Sequence, residues 1–167
     1  VDQSFYHSLM AHKALLCGNV AQADSHTGLM WEKGRDTGFP VIDYVYHLER
    51  AYVMHGLKEH EETSYHLTQC YKKALMMRSR PFEFMCLIAE AQIAIERGKE
   101  DDGLEFLKKG MALGRKCGFN NTYIWFPKVM ARLCCKALDA GIEMEYVQEL
   151  IRRRKITPET PPVEIEA

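Results

Sequence analysis

A chain of 167 residues with 47% hydrophobic and 27% charged residues has ordinary globular composition and enough length for one domain with a real core. Its formal net charge of −1 argues against a generally basic nucleic-acid-binding surface, and no stretch approaches the ~20 consecutive apolar residues of a membrane span. The opening VDQSFYHSLMAHK has no basic segment leading into an apolar run, which excludes a secretory signal peptide; lacking an initiator Met, the chain reads as a piece of something longer.

Apolar residues recur at three- and four-residue spacing rather than in alternation. This predicts helices over 2–17, 20–37, 41–57, 60–79, 82–97, 100–117, 121–140 and 143–154. CGNVAQA, GLKEHEE and RGKEDDG are short polar joints between helices. GRDTGFP, RSRPF and GRKCGFNN terminate the helix before them. Gly38 and Gly118 suit the left-handed residue just past a helix end, with Phe39 and Phe119 as the hydrophobic contact of the cap. Pro40 and Pro81 suit an early position of the next helix. Pro127 falls inside the 121–140 segment, so that helix either starts near Phe126 or bends there. A short last helix is followed by ITPETPPVEIEA, residues 156–167, a Pro-rich linker towards a following domain.

The chain repeats. GRDTGF at 34–39 returns as GRKCGF at 114–119, and a shift of 40 explains the echo as two periods. Ala11, Ala51, Ala91 and Ala131 fall in one column; Ala23, Thr63 and Gly103 form a second small column, and Gly34, Ala74 and Gly114 a third. Small residues at matching points of two helices allow close approach. The glycines are degenerate in the middle copy, where Lys58 stands for Gly18 and Gly98, and Arg78 for Gly38 and Gly118. The joint of the fourth unit shifts by three residues, to Gly141. The fold expected is all-α: a right-handed α-solenoid of about four antiparallel helix pairs over residues 1–155, tetratricopeptide-like with a period of 40 instead of the usual ~34.

Six cysteines without a C-x-x-C motif suggest free, mostly buried thiols in a reducing cytoplasm. His66 and Cys70 have a legal i, i+4 ligand spacing, with His55, His60, Glu61 and Glu62 nearby. Two possible ligands fall short of the three or four a zinc site needs, so no metal is expected. Cys117 ends a helix, where the dipole disfavours a thiolate, and reads as a spacer in a cap. No Ser–His–Asp set or paired inward carboxylates can be built, so neither enzyme activity nor a cofactor is expected.

The sites that remain are surfaces. If the first helix of each pair lines a concave groove, three columns face it: Phe5, Val45, Met85, Trp125; then Ser8, Leu48, Ile88, Lys128; then His12, Tyr52, Gln92, Arg132. The third varies among polar side chains while the alanine column stays constant. Phe5, His12, Tyr52, Gln92, Trp125, Lys128 and Arg132 are therefore the candidate groove for an effector or partner protein. Arg152, Arg153, Arg154 and Lys155 are a possible docking patch, against the simpler reading of cations complementing a helix C-terminus.

KVMARLCCKALDAGIEMEYVQELIRRRKITP resembles the end of the helical-repeat region in large bacterial transcription activators: the MalT-like, STAND-type regulators, especially those with a bacterial transcriptional activator domain. GLKEHEETSYHL and GRKCGF are similar to that group as well. The resemblance implies a cytoplasmic sensor module that couples an effector or partner to neighbouring ATPase and DNA-binding modules of the same chain, touching DNA only through them. No G-x-x-x-x-G-K-[ST] loop occurs, so the ATPase would lie outside these residues. The alternative is a general interaction or self-association scaffold without a small-molecule ligand.

Overall fold

Helix ends recur about every twenty residues in the computed structural model, which describes residues 2–124 and 126–157. Among these the helices are α1 (Asp2–Leu16), α2 (Val20–Gly34), α3 (Pro40–Gly56), α4 (His60–Met76), α5 (Arg80–Glu96), α6 (Glu100–Cys117), α7 (Pro127–Asp139) and α8 (Met144–Arg154), with a 3-10 turn, Arg35–Thr37, after α2. No strand occurs among the described residues. The protein is an all-α helical repeat in which consecutive helices pack as pairs. It divides into two compact units between Glu90 and Ala91, inside α5.

The same closure ends most of the helices. Gly18, Gly38, Gly98, Gly118 and Gly141 have φ between 67° and 75°. At Gly118 the amide donates to Arg115 O (3.3 Å) and the Phe119 amide to Gly114 O (2.9 Å), the paired bonds of a Schellman cap, which satisfy carbonyls the helix leaves open. Asn19 N–H to Ala14 O (2.9 Å), Lys99 N–H to Ala94 O (2.9 Å) and Ile142 N–H to Ala137 O (2.7 Å) are its counterparts. The second repeat lacks the glycines and keeps the geometry. Lys58 (φ 65°) and Arg78 (φ 50°) adopt the left-handed conformation, and the amides after them reach Met54 O (2.9 Å) and Ala74 O (3.1 Å). Backbone hydrogen bonds there outweigh the side-chain preference.

In the first unit the small columns are buried. Ala11, Ala23, Ala51 and Thr63 are sealed from solvent, and Ala14, Ala23, Val53 and Met54 form one cluster with Leu15 and Val20. Gly34 sits so close to Ser4 and Ile42 that a Cβ would collide with both. Tyr44 of α3 stacks on Phe82 of α5 at 4.2 Å and donates its hydroxyl proton to the Phe82 carbonyl (3.0 Å). Ion pairs join the helices at their edges, Arg50 to Asp24 and Lys73 to Asp43.

In the second unit Gly103 packs against the last turns of α5. A Cβ there would run into Ile95 and come within 3.1 Å of the Ala91 carbonyl oxygen. Leu107, Met111, Leu133, Cys134, Val147 and Leu150 fill the interior of α6, α7 and α8. The segment 121–140 is helical only from Pro127 on, the first of the two outcomes expected of that proline: α7 starts there, with Phe126 extended before it (φ −106°, ψ 101°). Proline lacks the amide that a helix interior needs and suits the first turn, so the segment before it is excluded from the helix. The joint to α8 carries the expected Gly141, and Glu143 (φ 43°) adds a second left-handed residue. Of the expected linker only Ile156 and Thr157 are described, as non-helical residues past the α8 cap; 158–167 lie outside the described residues. No described helix is long and apolar enough to cross a membrane.

Left-handed backbone costs a residue with a Cβ roughly 1–2 kcal/mol, partly offset by the greater unfolded-state freedom of glycine. Lys58→Gly is therefore expected to stabilise the protein by about 1 kcal/mol, read as a rise in urea midpoint at unchanged slope. A midpoint at or below that of the parent would show that Lys58 is not strained.

Candidate functional site

In the second unit the last turns of α5 and one face of α7 enclose a cleft of about 200 Å³. Gln92, Ile95 and Glu96 line it from α5, and Val129, Arg132, Leu133 and Lys136 from α7. The spacings of three, four and seven put each set on one helical face. Ile95, Val129 and Leu133 supply apolar surface. The Glu96 carboxylate accepts from Gln92 Nε2 (3.2 Å) and Arg132 Nη2 (2.8 Å), and one turn on, Lys136 pairs with Glu100 (2.5 Å).

Gln92 is 9% exposed, and its Oε1 is buried without a donor from the protein. Leaving such an acceptor unmet costs roughly 1–3 kcal/mol. The Arg132 side chain is 53% exposed, so its guanidinium is reachable from outside. The cleft thus offers a buried acceptor, a carboxylate held between two donors, and cations beside them. That arrangement suits a small ligand with a hydrogen-bond donor at one end and an anionic group at the other.

Two residues of the expected third column, Gln92 and Arg132, meet here through Glu96. The other columns lie differently. Val45, Leu48 and Tyr52 of α3 are buried, because α3 packs against α1 and α2 as well as its partner α4; Met85 and Ile88 of α5 are buried as well. Ser8 is buried too and donates to Glu49 Oε1 (2.5 Å). Phe5 and Lys128 are exposed, and His12 is half-buried. Trp125 lies outside the described residues. The concave-groove assumption treated the first helices as having one covered face; in the first unit they have more than one.

At the end of α8, Arg152 and Arg153 both bind the Glu149 carboxylate, whose pKa their hydrogen bonds lower. Lys155 is the left-handed cap, its amide 3.4 Å from Arg152 O. Arg152 and Arg153 of the expected basic patch are thereby engaged within their own helix. Of the thiols, Cys70, Cys86 and Cys134 are buried, whereas Cys17, Cys117 and Cys135 are exposed, so the expectation of mostly buried cysteines holds for three. Cys117 closes α6 directly before its left-handed cap.

Three groupings escaped the sequence reading. Cys70 and Cys86 bring their sulfurs to 3.1 Å against Tyr44, and burial pushes the Cys70 thiol up. His66, considered with Cys70 as a ligand pair, turns instead to His47, Nδ1 to Nδ1 at 2.9 Å; His7 and His26 do the same at 3.0 Å. Among the described residues no three His, Cys, Asp or Glu side chains converge as a metal site would require. Both histidine pairs were visible as a 40-residue echo, His7 with His47 and His26 with His66. Glu49 was invisible: a carboxyl group sealed inside the first unit, held by Ser8 Oγ and Thr27 Oγ1 (3.4 Å). Burial pushes its pKa up to about 8, its hydrogen bonds opposing.

Comparison with family models, curated proteins and solved structures finds no match.

Glu49 makes stability depend on pH. Folded, it keeps its proton until about pH 8; unfolded, it loses it near 4.5. Between those values the folded state holds more protons, so stability is greatest below the lower one and falls as pH rises through the upper, by up to about 1.4 kcal/mol per unit. Glu49→Gln keeps a neutral acceptor for Ser8. It should flatten the fall in melting temperature between pH 5 and pH 8; an unchanged pH profile would contradict the assignment.

Proposed function

We propose that this chain is a non-enzymatic regulatory repeat domain that binds a small polar effector in the α5–α7 cleft. It serves as a sensor in a cytoplasmic transcription activator of the MalT-like, STAND type, coupling effector binding to ATPase and DNA-binding modules of the same protein. The observation that supports this reading is the buried Gln92 Oε1 beside the reachable Arg132 guanidinium, in a cleft with an apolar floor. Helical-repeat folds serve as binding surfaces, and the likeness of residues 131–154 to the activator group supplies the cellular setting. The ligand class that fits is a zwitterion of amino-acid size: its ammonium meets Gln92 Oε1 and Glu96, and its carboxylate displaces Glu96 from Arg132.

A second reading rests on α4. Tyr65, Leu75 and Met76 expose much of their apolar surface there, Met76 to 78%. Such side chains favour a protein partner or self-association over a small molecule.

Calorimetric titration against amino acids and related zwitterions separates the two. A binder should appear whose affinity falls at least about tenfold, roughly 1.4 kcal/mol, in Arg132→Ala, while the exposed position leaves the melting temperature little changed. Equal binding by Arg132→Ala, or no binder together with concentration-dependent self-association, would favour the second reading.

A further inference from the structure

We propose that the two histidine pairs, His7–His26 and His47–His66, are repeated bidentate sites for a late first-row divalent metal ion, Cu²⁺ above all. Each pair joins the two helices of one hairpin, α1 to α2 and α3 to α4. The geometry is the same both times: Nδ1 atoms 3.0 and 2.9 Å apart, ring centroids 5.3 and 5.1 Å apart, and rings tilted by 30° and 41°. Two neutral imidazoles whose Nδ1 atoms converge can share a proton or chelate a cation.

The spacing selects among metals. With metal–nitrogen bonds of about 2.0–2.1 Å, this separation subtends an angle of about 90°; tetrahedral zinc would need the nitrogens about 3.3 Å apart. A right-angled pair of imidazoles is the cis arrangement of tetragonal Cu²⁺ or Ni²⁺, and Cu²⁺ stands highest in the divalent affinity series. Two protein ligands leave the other positions to water.

The third repeat shows that packing alone does not demand histidine. Its equivalent residues are Leu87 and Phe106, an apolar pair. The first two repeats carry nitrogen ligands where hydrophobic contact suffices. The surroundings also keep the rings able to bind. Burial lowers the pKa of His7, with His26 and Lys33 adding to it; burial lowers that of His47, Lys73 adding and Asp43 opposing. His66 is pushed down to about 4 by burial, His47 and Arg50, with Glu62 opposing. Neutral imidazole is the ligating form. Asp43 and Glu62 lie within electrostatic reach of the second pair, but Lys73 and Arg50 offset them there, as Lys33 opposes a cation at the first, so charge does not rank the two sites.

The test uses Cu²⁺ alone on the untagged chain at neutral pH, followed by electron paramagnetic resonance. Wild type should bind two equivalents with nitrogen in the equatorial plane. His7→Leu and His47→Leu, each borrowing the leucine of the third repeat, should lose one equivalent each, and the double variant both. Independently of any variant, sub-stoichiometric Cu²⁺ should broaden the ring resonances of His7, His26, His47 and His66 ahead of those of the other histidines. Equal uptake by wild type and double variant, broadening centred elsewhere, or ring signals that report only a shared proton would overturn the proposal.

Discussion

Everything in this fold hangs on where its helices are made to stop. A left-handed residue stands at 18, 38, 58, 78, 98 and 118, so each of the first six helices is cut to nearly the same length and the chain reverses at a regular interval. In the Schellman caps the open carbonyls of one helix are satisfied by the amides that begin the turn. Once the reversals are set, equal helices bring the same positions together in each of the first three hairpins. Small residues at those positions then decide how close the backbones come. Ala91 and Gly103 show the limit, with no room for another methyl group.

The repeat explains why so much of the architecture was legible. Glycine, alanine and proline act through the backbone, and their roles survive in a single sequence: Gly38, Gly118 and the alanine column lie as their chemistry requires. Lys58 and Arg78 show the opposite case, since nothing in a lysine or arginine announces a positive φ; only the repeat register points to it. Side-chain environments were harder to read. Tyr52 looks like a surface residue from its polarity, yet it is buried, because a central helix in a stack has neighbours on several sides. Ser8 and Glu49 are ordinary surface residues by type. Their burial together follows from α3 crossing onto α1, which no local pattern encodes.

The polar groups left inside are the informative ones. Glu49 is answered by Ser8 and Thr27 and remains neutral through the physiological range, a structural group with a pH signature. Gln92 Oε1 is not answered by the protein, and it lies beside opposite charges in an open cleft. Satisfied buried polar groups favour one packing; an unsatisfied one beside an opening favours a ligand. The histidine pairs stand between these cases, with each ring satisfied by its partner and each pair able to accept an ion instead.

The central claim is that the α5–α7 cleft is where this domain meets its effector. The most direct measurement is nuclear magnetic resonance of the labelled chain while pooled zwitterionic metabolites are added, following the Gln92 side-chain amide and the Arg132 Nε–H. The account predicts that the first pool to bind shifts these two signals together with the amides of Ile95, Val129 and Leu133. Shifts gathered instead on Tyr65, Leu75 and Met76 of α4, with Gln92 and Arg132 unmoved, would contradict it.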